Sequence, residues 1–432
     1  STNLAAFEMI DYVLIDPNSE PLDTINELKP DFFAKGYEYS SQVQPKTQKE
    51  IETLSSFGGQ MIFTPGDIID SSSRLIEMEP PNLRTEKLLA LMDKHNISFN
   101  DLRETLTKFK GKKVHVVGDT IIDTLTHCSM IGGQTKTPTM SVRFEEKKDF
   151  IGGAAIVARH LKDAGSDVVF STVLGDDDYK NFVLKELKDN GIKVNAIVDG
   201  TRPTTNKNAI VTQGYRLLKI DTLENQSISD EIRKELEVSI KKQQSDCIVF
   251  SDFRHGIFNR RTIDHLVNAI PDKVYKVADS QVASRWGNIT EFKQFDLVTP
   301  NEREARFALG DQDSGLRPLA SSLYDQADCK LLILKIGDRG VLTCRSKNHE
   351  SPDSFFVVDS FVNQVKDAVG AGDALLAYST LSMLACNNEI IATILGSMAA
   401  AVECEVDGNI PVNTKDVIKK IDDAEKLALY KS

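Results

Sequence analysis

The chain has no long apolar run, no basic excess, no closely spaced cysteines and no early histidine. The longest near-apolar stretches, residues 374–386 and 390–402 of 432, fall short of the ~20 residues that a membrane-spanning helix needs. Both read as core helices, and no membrane partner is expected. The opening residues, Ser1-Thr2-Asn3-Leu4, contain no basic segment followed by an apolar one. No secretory signal is read there, and a cytoplasmic location is expected. The 52 basic and 64 acidic residues give a net charge of −12, which argues against a general nucleic-acid or acidic-membrane binder. A local pocket for a small anion remains compatible with that charge. Cys128, Cys247, Cys329, Cys344, Cys386 and Cys404 form no CxxC pair. They read as reduced core thiols, and a zinc centre is not expected.

What is present is alternation of helix and strand. Residues 1–76 read as a helical patch at 4–9, strands at 12–15, 31–34 and 60–64, and a helix at 22–28. After Pro80-Pro81 come two helical patterns, 84–95 and 99–109, the second with Asn100 as its cap and Glu104 in its first turn. Residues 77–111 therefore read as a helical linker. From Lys112 onward apolar strands alternate with helices, as in a parallel sheet. Small or acidic residues follow the strands: Gly118-Asp119, Gly175, Ser251-Asp252, Asp279, Thr299-Pro300-Asn301 and Gly337. In open α/β sheets the ligand crevice lies at those strand ends. Segments 126–150 and 204–221 break the alternation and suggest a small β lid. The expected fold is α/β: a mainly parallel central sheet with flanking helices and a lid over 112–432, preceded by a partial α/β domain.

The strongest chemical signal is Asp367-Ala368-Val369-Gly370-Ala371-Gly372-Asp373, with apolar residues following at Leu375, Leu376, Tyr378, Leu381 and Leu384. A Gly-rich turn opening a helix presents unpaired backbone N–H groups and a positive dipole end, which suits a transferring phosphate. Asp373, in the first turn, is placed to accept a hydroxyl proton. A lone GxG is most often only a helix start; here it belongs to a longer motif with other elements in order. Those elements also have plain readings. Asp119 and Asp123 read equally as loop acids, and Gly152-Gly153 as a turn. Asn301 and Glu304 read as a helix cap and an exposed acid, and His255 as a solvated loop residue. Arg143, Lys207 and Arg216 fall in the lid, where basic residues pair with a sugar phosphate or simply keep strand edges soluble.

From Gly111 to its end the chain resembles the PfkB/ribokinase family of sugar kinases. Residues 367–373 match that family's DxxGAGD signature. Gly118-Asp119-Thr120-Ile121-Ile122-Asp123 resembles its sugar-contacting loop, Gly152-Gly153-Ala154-Ala155 its GGAAN motif, and Asn301-Glu302-Arg303-Glu304 its NxxE motif. Within the family, residues 204–221, 251–256 and 298–301 are similar to the heptose-7-phosphate kinases, one half of the bifunctional ADP-heptose synthesis enzymes. Residues 4–76 resemble a truncated part of the nucleotidyltransferase half. The segments concerned are 4–13, Lys29-Pro30-Asp31 through Tyr39, and the phosphate-binding helix start Ser71-Ser72-Ser73-Arg74-Leu75-Ile76. The usual order of the halves is reversed. No histidine precedes His95, so the HxGH loop of those transferases has no counterpart and nucleotidyl transfer is not expected.

The resemblance implies an ATP-dependent, Mg²⁺-requiring carbohydrate kinase. Asp373 would be the base, and the N–H groups of Gly370, Ala371 and Gly372 the anion hole. Asn301 and Glu304 would organise Mg²⁺ through water, with Gly337 on the nucleotide side. Asp119, Asp123, Gly152, Gly153 and Asp252 would face the sugar. A heptose 7-phosphate, phosphorylated at its anomeric hydroxyl, is the expected substrate, and a homodimer paired through the lids is the expected assembly. Three departures stand out: Ile156 where GGAAN has Asn, Gln281 where an Asp-Pro-Lys stretch has Lys, and Lys335 where Thr is usual. They keep two rivals open: a degenerate kinase serving as a binding subunit, and a kinase of another sugar or a nucleoside.

Overall fold

The computed structural model describes residues 12–16, 18, 20–36, 45–64, 83–133, 139–281, 288–406 and 408–429. The chain divides into two compact units, Ser1–Asn82 and Leu83–Ser432.

In the first unit, α1 (Leu22–Leu28) leads to β1 (Phe32–Gly36), and α2 (Pro45–Ser55) leads to β2 (Gln60–Thr64). The strands pair in parallel, Phe32 opposite Gln60, and each helix buries one aliphatic side chain, Ile25 and Leu54. Lys35 on β1 pairs with the buried Glu50 on α2. Residues 12–15, expected as a strand, form none: Tyr12, Leu14 and Ile15 are exposed, with no neighbouring strand among the described residues to cover them. The expected elements at 4–9, 37–39 and 71–76 lie outside the described residues.

The second unit opens with α3 (Leu83–Lys94) and α4 (Phe99–Thr107). The helices expected as a linker pack into this unit. Leu88, Met92, Leu102 and Leu106 join its core together with Phe109, whose ring meets Tyr378 edge-on at 5.8 Å. Arg103 reaches Asp422 at 2.7 Å and also pairs with Glu425. The cap of α4 is Ser98, not Asn100, which lies inside the helix. The Ser98 hydroxyl accepts the Asp101 N–H, while the Asp101 carboxylate accepts the Ser98 N–H at 2.7 Å; this reciprocal box satisfies two otherwise orphaned donors. Leu102 is fully buried, so Leu102→Ala is expected to cost about 2–5 kcal/mol. Thermal unfolding followed by circular dichroism checks this; an unchanged midpoint would mean that the helices contribute little to the unit.

In chain order the remaining strands are β3 (Lys113–Gly118), β4 (Thr120–Gly133), β5 (Met140–Gly153), β6 (Asp167–Leu174), β7 (Lys193–Val198), β8 (Thr205–Thr212), β9 (Tyr215–Thr222), β10 (Cys247–Asp252), β11 (Tyr275–Ser280), β12 (Leu297–Val298), β13 (Leu331–Lys335), β14 (Val341–Cys344) and β15 (Phe355–Val358). Nine of them form one sheet in the order β15-β14-β13-β12-β11-β10-β3-β6-β7. It is parallel from β13 to β7, and antiparallel only at the β14 and β15 edge. Helices cover both faces, so the central strands are apolar on both sides. Cys247 and Val249 join the core with helices Ala154–Asp163, Ala371–Cys386 and Glu389–Cys404. Ile248 and Phe250 alternate with them and face Asp230–Lys242 and Leu316–Ala327. The segments expected as a lid form a separate sheet, β5-β4-β8-β9.

Candidate active site

Parallel strands bring their carboxyl ends to one edge of the sheet, and ligand crevices form there. In the larger unit a cleft of about 660 Å³ lies at that edge. Its walls include Asp123, Lys207 and Arg216 from the lid, Asn301 and Lys335 from the sheet ends, and the turn at Gly370.

Gly370 caps the helix Ala371–Cys386 with φ +87°, a conformation that few residues other than glycine adopt. A Cβ there would also run into the ends of two side chains, Asn409 Oδ1 and Glu403 Oε1. The first N–H groups of the helix have no intrahelical acceptor. Asp373 sits in this first turn, its N–H bonded to Gly370 O at 2.9 Å. Its side chain is buried, and Oδ1 has no hydrogen-bond partner. Burial pushes its carboxyl up to about 8. Asp279, Asp123 and Glu304 add to the shift, and Lys335 opposes it. A carboxyl held near neutrality with one open acceptor suits a general base.

Lys335 Nζ lies 3.1 Å from Asp279 Oδ1. Burial alone would lower the Lys335 ammonium, but Asp279, Glu304 and Asp373 outweigh it and hold the group above the ordinary lysine value. Asn301 and Glu304 are joined in a capping box: Asn301 N–H donates to Glu304 Oε2 at 2.7 Å, and Glu304 N–H to Asn301 Oδ1 at 2.8 Å. The plain reading of Asn301 as a cap is therefore realised. The reading of Glu304 as an exposed acid is not, since Glu304 is buried.

On the lid side, Asp123 on β4 stands opposite Lys207 on β8. Burial raises its carboxyl, against the pull of Lys207, Lys219 and Arg216. Arg216 also reaches Asp367 at 3.6 Å, linking lid and turn. Gly152 lies directly beneath the Asp123 carboxylate, and Gly153 (φ +62°) opens the following helix.

Other expected site residues are placed differently. Asp119 is buried and accepts N–H bonds from Phe253 at 3.0 Å and His255 at 3.2 Å, which hold the loop after β10. Asp252 is fully buried. It accepts from the Ser280 hydroxyl at 2.7 Å and from the Arg254 N–H at 2.8 Å, with Arg254 Nε 2.9 Å away. Burial pushes its carboxyl up to about 7. Neither residue lines the cleft, nor does Ala371 or the exposed Gly337. His255 is buried, its Nδ1 2.8 Å from Asn225 Oδ1. Ile156, the departure at GGAAN, is buried in its helix, away from the cleft wall.

Sequence reasoning missed Glu403 and Asn409. Glu403 Oε1 accepts the Ile410 N–H at 3.2 Å, whereas Glu403 Oε2 and Asn409 Oδ1 are buried without a hydrogen-bond partner. Burial pushes the Glu403 carboxyl up to about 8, with Asp373 and Asp367 adding to it. The available signal was a lone acid near the end of an apolar helix. Asn409 gave none.

Comparison with known proteins bears on the fold and the family. The bifunctional protein HldE of Bradyrhizobium diazoefficiens is 25% identical over 333 residues, which is 75% of this chain and 65% of the relative. HldE of Helicobacter acinonychis is 27% identical over 303 residues, 67% of this chain and 62% of the relative. The chain thus spans somewhat less than two thirds of these relatives. Among solved structures, Escherichia coli phosphofructokinase-2 matches with a TM-score of 0.60 at 17% identity, covering 73% of this chain and 99% of that one. Ribokinase from Thermotoga maritima matches with a TM-score of 0.55 at 19% identity, with coverages of 73% and 99%. These likenesses give the ribokinase-like fold. Residues 112–415 match the model for pfkB family carbohydrate kinases, and the chain belongs to that family.

Proposed function

We propose that the chain phosphorylates a sugar that already carries a phosphate, with ATP as donor and a heptose 7-phosphate as acceptor at its anomeric hydroxyl. One observation carries the reading: the buried Asp373 carboxyl, with an open oxygen, shares a cleft with three lid cations, Lys207, Lys219 and Arg216. The carboxylate would take the hydroxyl proton, and the turn's N–H groups would receive the transferring phosphoryl. The lid cations suit a second anion, the sugar's own phosphate. Burial lowers the Lys207 ammonium, and the neighbouring Lys219 lowers it further. An arriving phosphate would relieve that crowding.

Mg²⁺ would supply charge neutralisation at the triphosphate. The chain's donor set fits a metal that keeps most of its waters and takes phosphate oxygens. No group of three or more His, Cys, Asp or Glu that could hold an ion directly is found among the described residues. Asn301 and Glu304 are committed to each other, and a carboxylate retains acceptor capacity for water. The exposed apolar side chains of the lid, among them Met140, Phe144 and Leu218, fit a second copy of the chain.

ADP release with ATP, Mg²⁺ and a panel of sugars and sugar phosphates tests this reading. Turnover with heptose 7-phosphate is expected, and Lys207→Met should raise KM for it about 10- to 100-fold. That is the loss of one charge-assisted bond, and unphosphorylated sugars should change little. Turnover with unphosphorylated sugars alone would point to another acceptor. ATP binding without any turnover would favour a binding subunit.

A further inference from the structure

We propose that Lys335 binds the transferring phosphoryl group of the nucleotide, an inference that rests on the kinase reading above. Lys335 ends β13, where its backbone is fixed: its N–H donates to Pro300 O at 2.9 Å, and it bridges in parallel to Asn301. The side chain is largely buried and runs to the anion-binding turn. A Cβ built on Gly372 would lie 3.1 Å from Lys335 Nζ and 3.8 Å from both Cδ and Cε. The lysine head and stem thus lie against the third position of the turn. Nζ is held from behind by Asp279 Oδ1, which also accepts the Thr299 hydroxyl at 3.0 Å.

Charge is the second part of the argument. Asp367, Asp373 and Glu304 line the cleft around this turn, and a triphosphate brought there meets their repulsion. Lysine has three N–H donors, and the bond to Asp279 uses one. The strand β11, which carries Asp279, is followed by Gln281, a neutral residue on the cleft wall. In the resembling heptose kinases a lysine stands at that place. Here a cation comes from the end of β13, two strands away in the sheet, and pairs with Asp279; on our proposal the charge is relocated to that strand end.

In the step itself the sugar hydroxyl gives its proton to the Asp373 carboxylate and its oxygen forms the new bond to the γ-phosphorus. The bond from that phosphorus to the β,γ-bridging oxygen breaks, and ADP leaves with the electron pair. Lys335 donates N–H bonds to a non-bridging γ-oxygen throughout and forms no covalent bond. Such a donor is worth about 10²–10³ in rate.

The test compares Lys335→Thr, Lys335→Met and the double variant Lys335→Thr/Gln281→Lys with wild type. It measures kcat with the best sugar and the dissociation constants of ATP and ADP. Both single variants are expected to lose about 100-fold in kcat and to lose their preference for ATP over ADP about tenfold; the double variant is expected to recover at least tenfold in kcat. Lys335→Met keeps most of the stem's packing, so it reports on charge if the threonine variant folds poorly. Single variants within threefold of wild type in kcat, with an unchanged ATP-to-ADP ratio, would overturn the role. A shift in the pH midpoint of kcat without a change in that ratio would also overturn it, because Lys335 would then act only by tuning Asp373. A double variant no better than Lys335→Thr would overturn the relocation. A wild type that turns over no sugar would remove the kinase reading, and the ATP-to-ADP ratio would still decide on Lys335.

Discussion

Asp373→Asn is expected to lower sugar-dependent ADP release by about 10³-fold, within the range for loss of a positioned base, and to raise the main thermal midpoint at the same time. The two effects share one cause. The carboxyl is buried, near Asp279, Asp123 and Glu304, and pushed up to about 8 from the ordinary aspartate value of 3.8. Between those values the folded chain holds a proton that the unfolded chain has released. Raising the pH through that window therefore costs stability. Asparagine has no proton to lose. Its advantage should be small near pH 4 and should grow toward pH 8, exceeding about 1.4 kcal/mol, the equivalent of one pKa unit. That corresponds to a rise on the order of 2 °C or more. Activity runs the other way: the base works ionised, so wild-type turnover should climb as pH rises toward about 8 and level off above it. Differential scanning fluorimetry and ADP release, each from pH 5 to pH 9, measure both trends. A variant that keeps its activity, or one whose midpoint falls at pH 8, would remove Asp373 from the base role.

This pairing of strain with function bears on what was legible in the sequence. The turn at residues 370–373 could be read because its chemistry is local. Glycine without a side chain, a following apolar helix and an acid in the first turn all fall within a few residues. The strand ends were legible for a similar reason, since parallel strands buried on both faces are continuous apolar runs, Cys247 to Phe250 among them. The cap falls at Ser98 and not at Asn100 because both residue types cap well and a shift of two residues is small beside the helical period.

The contacts that decide roles were not local. Asp119 and Asp252 follow strands as site acids do. Only the folded chain sets Asp119 on the N–H groups of residues 253 and 255, and Asp252 against Arg254 and Ser280. Lys335 read as a departure from the family pattern, because its partner Asp279 is 56 residues away. Glu403 was hidden inside a segment that otherwise reads as core.

Gly152→Ala should separate binding from folding at the lid. A Cβ at Gly152 would overlap Asp123 Oδ2 and lie 3.2 Å from its Cγ. The backbone is no obstacle, since the nearest backbone atom, Ile121 O, is 3.5 Å away. The carboxylate can therefore rotate aside, at little cost to stability. That rotation is the functional effect. Asp123 would leave its place beside Lys207 on the cleft wall, and the hydrogen bond we propose it makes to a sugar hydroxyl would be lost or lengthened. A bond to a charged group contributes about 1.5–3 kcal/mol, so KM for the sugar should rise about 10- to 100-fold. kcat should change less and the thermal midpoint should move by no more than about 1–2 °C. Gly118 is the contrasting position. A Cβ there would meet the Ser251 backbone carbonyl and lie 2.6 Å from the Ala154 Cβ, and neither can swing away. Gly118→Ala should therefore fail through folding, where Gly152→Ala fails through KM. Steady-state kinetics beside thermal unfolding distinguish the two. If Gly152→Ala kept its KM while Asp123→Asn also did, the sugar would have to be held by other residues of the cleft.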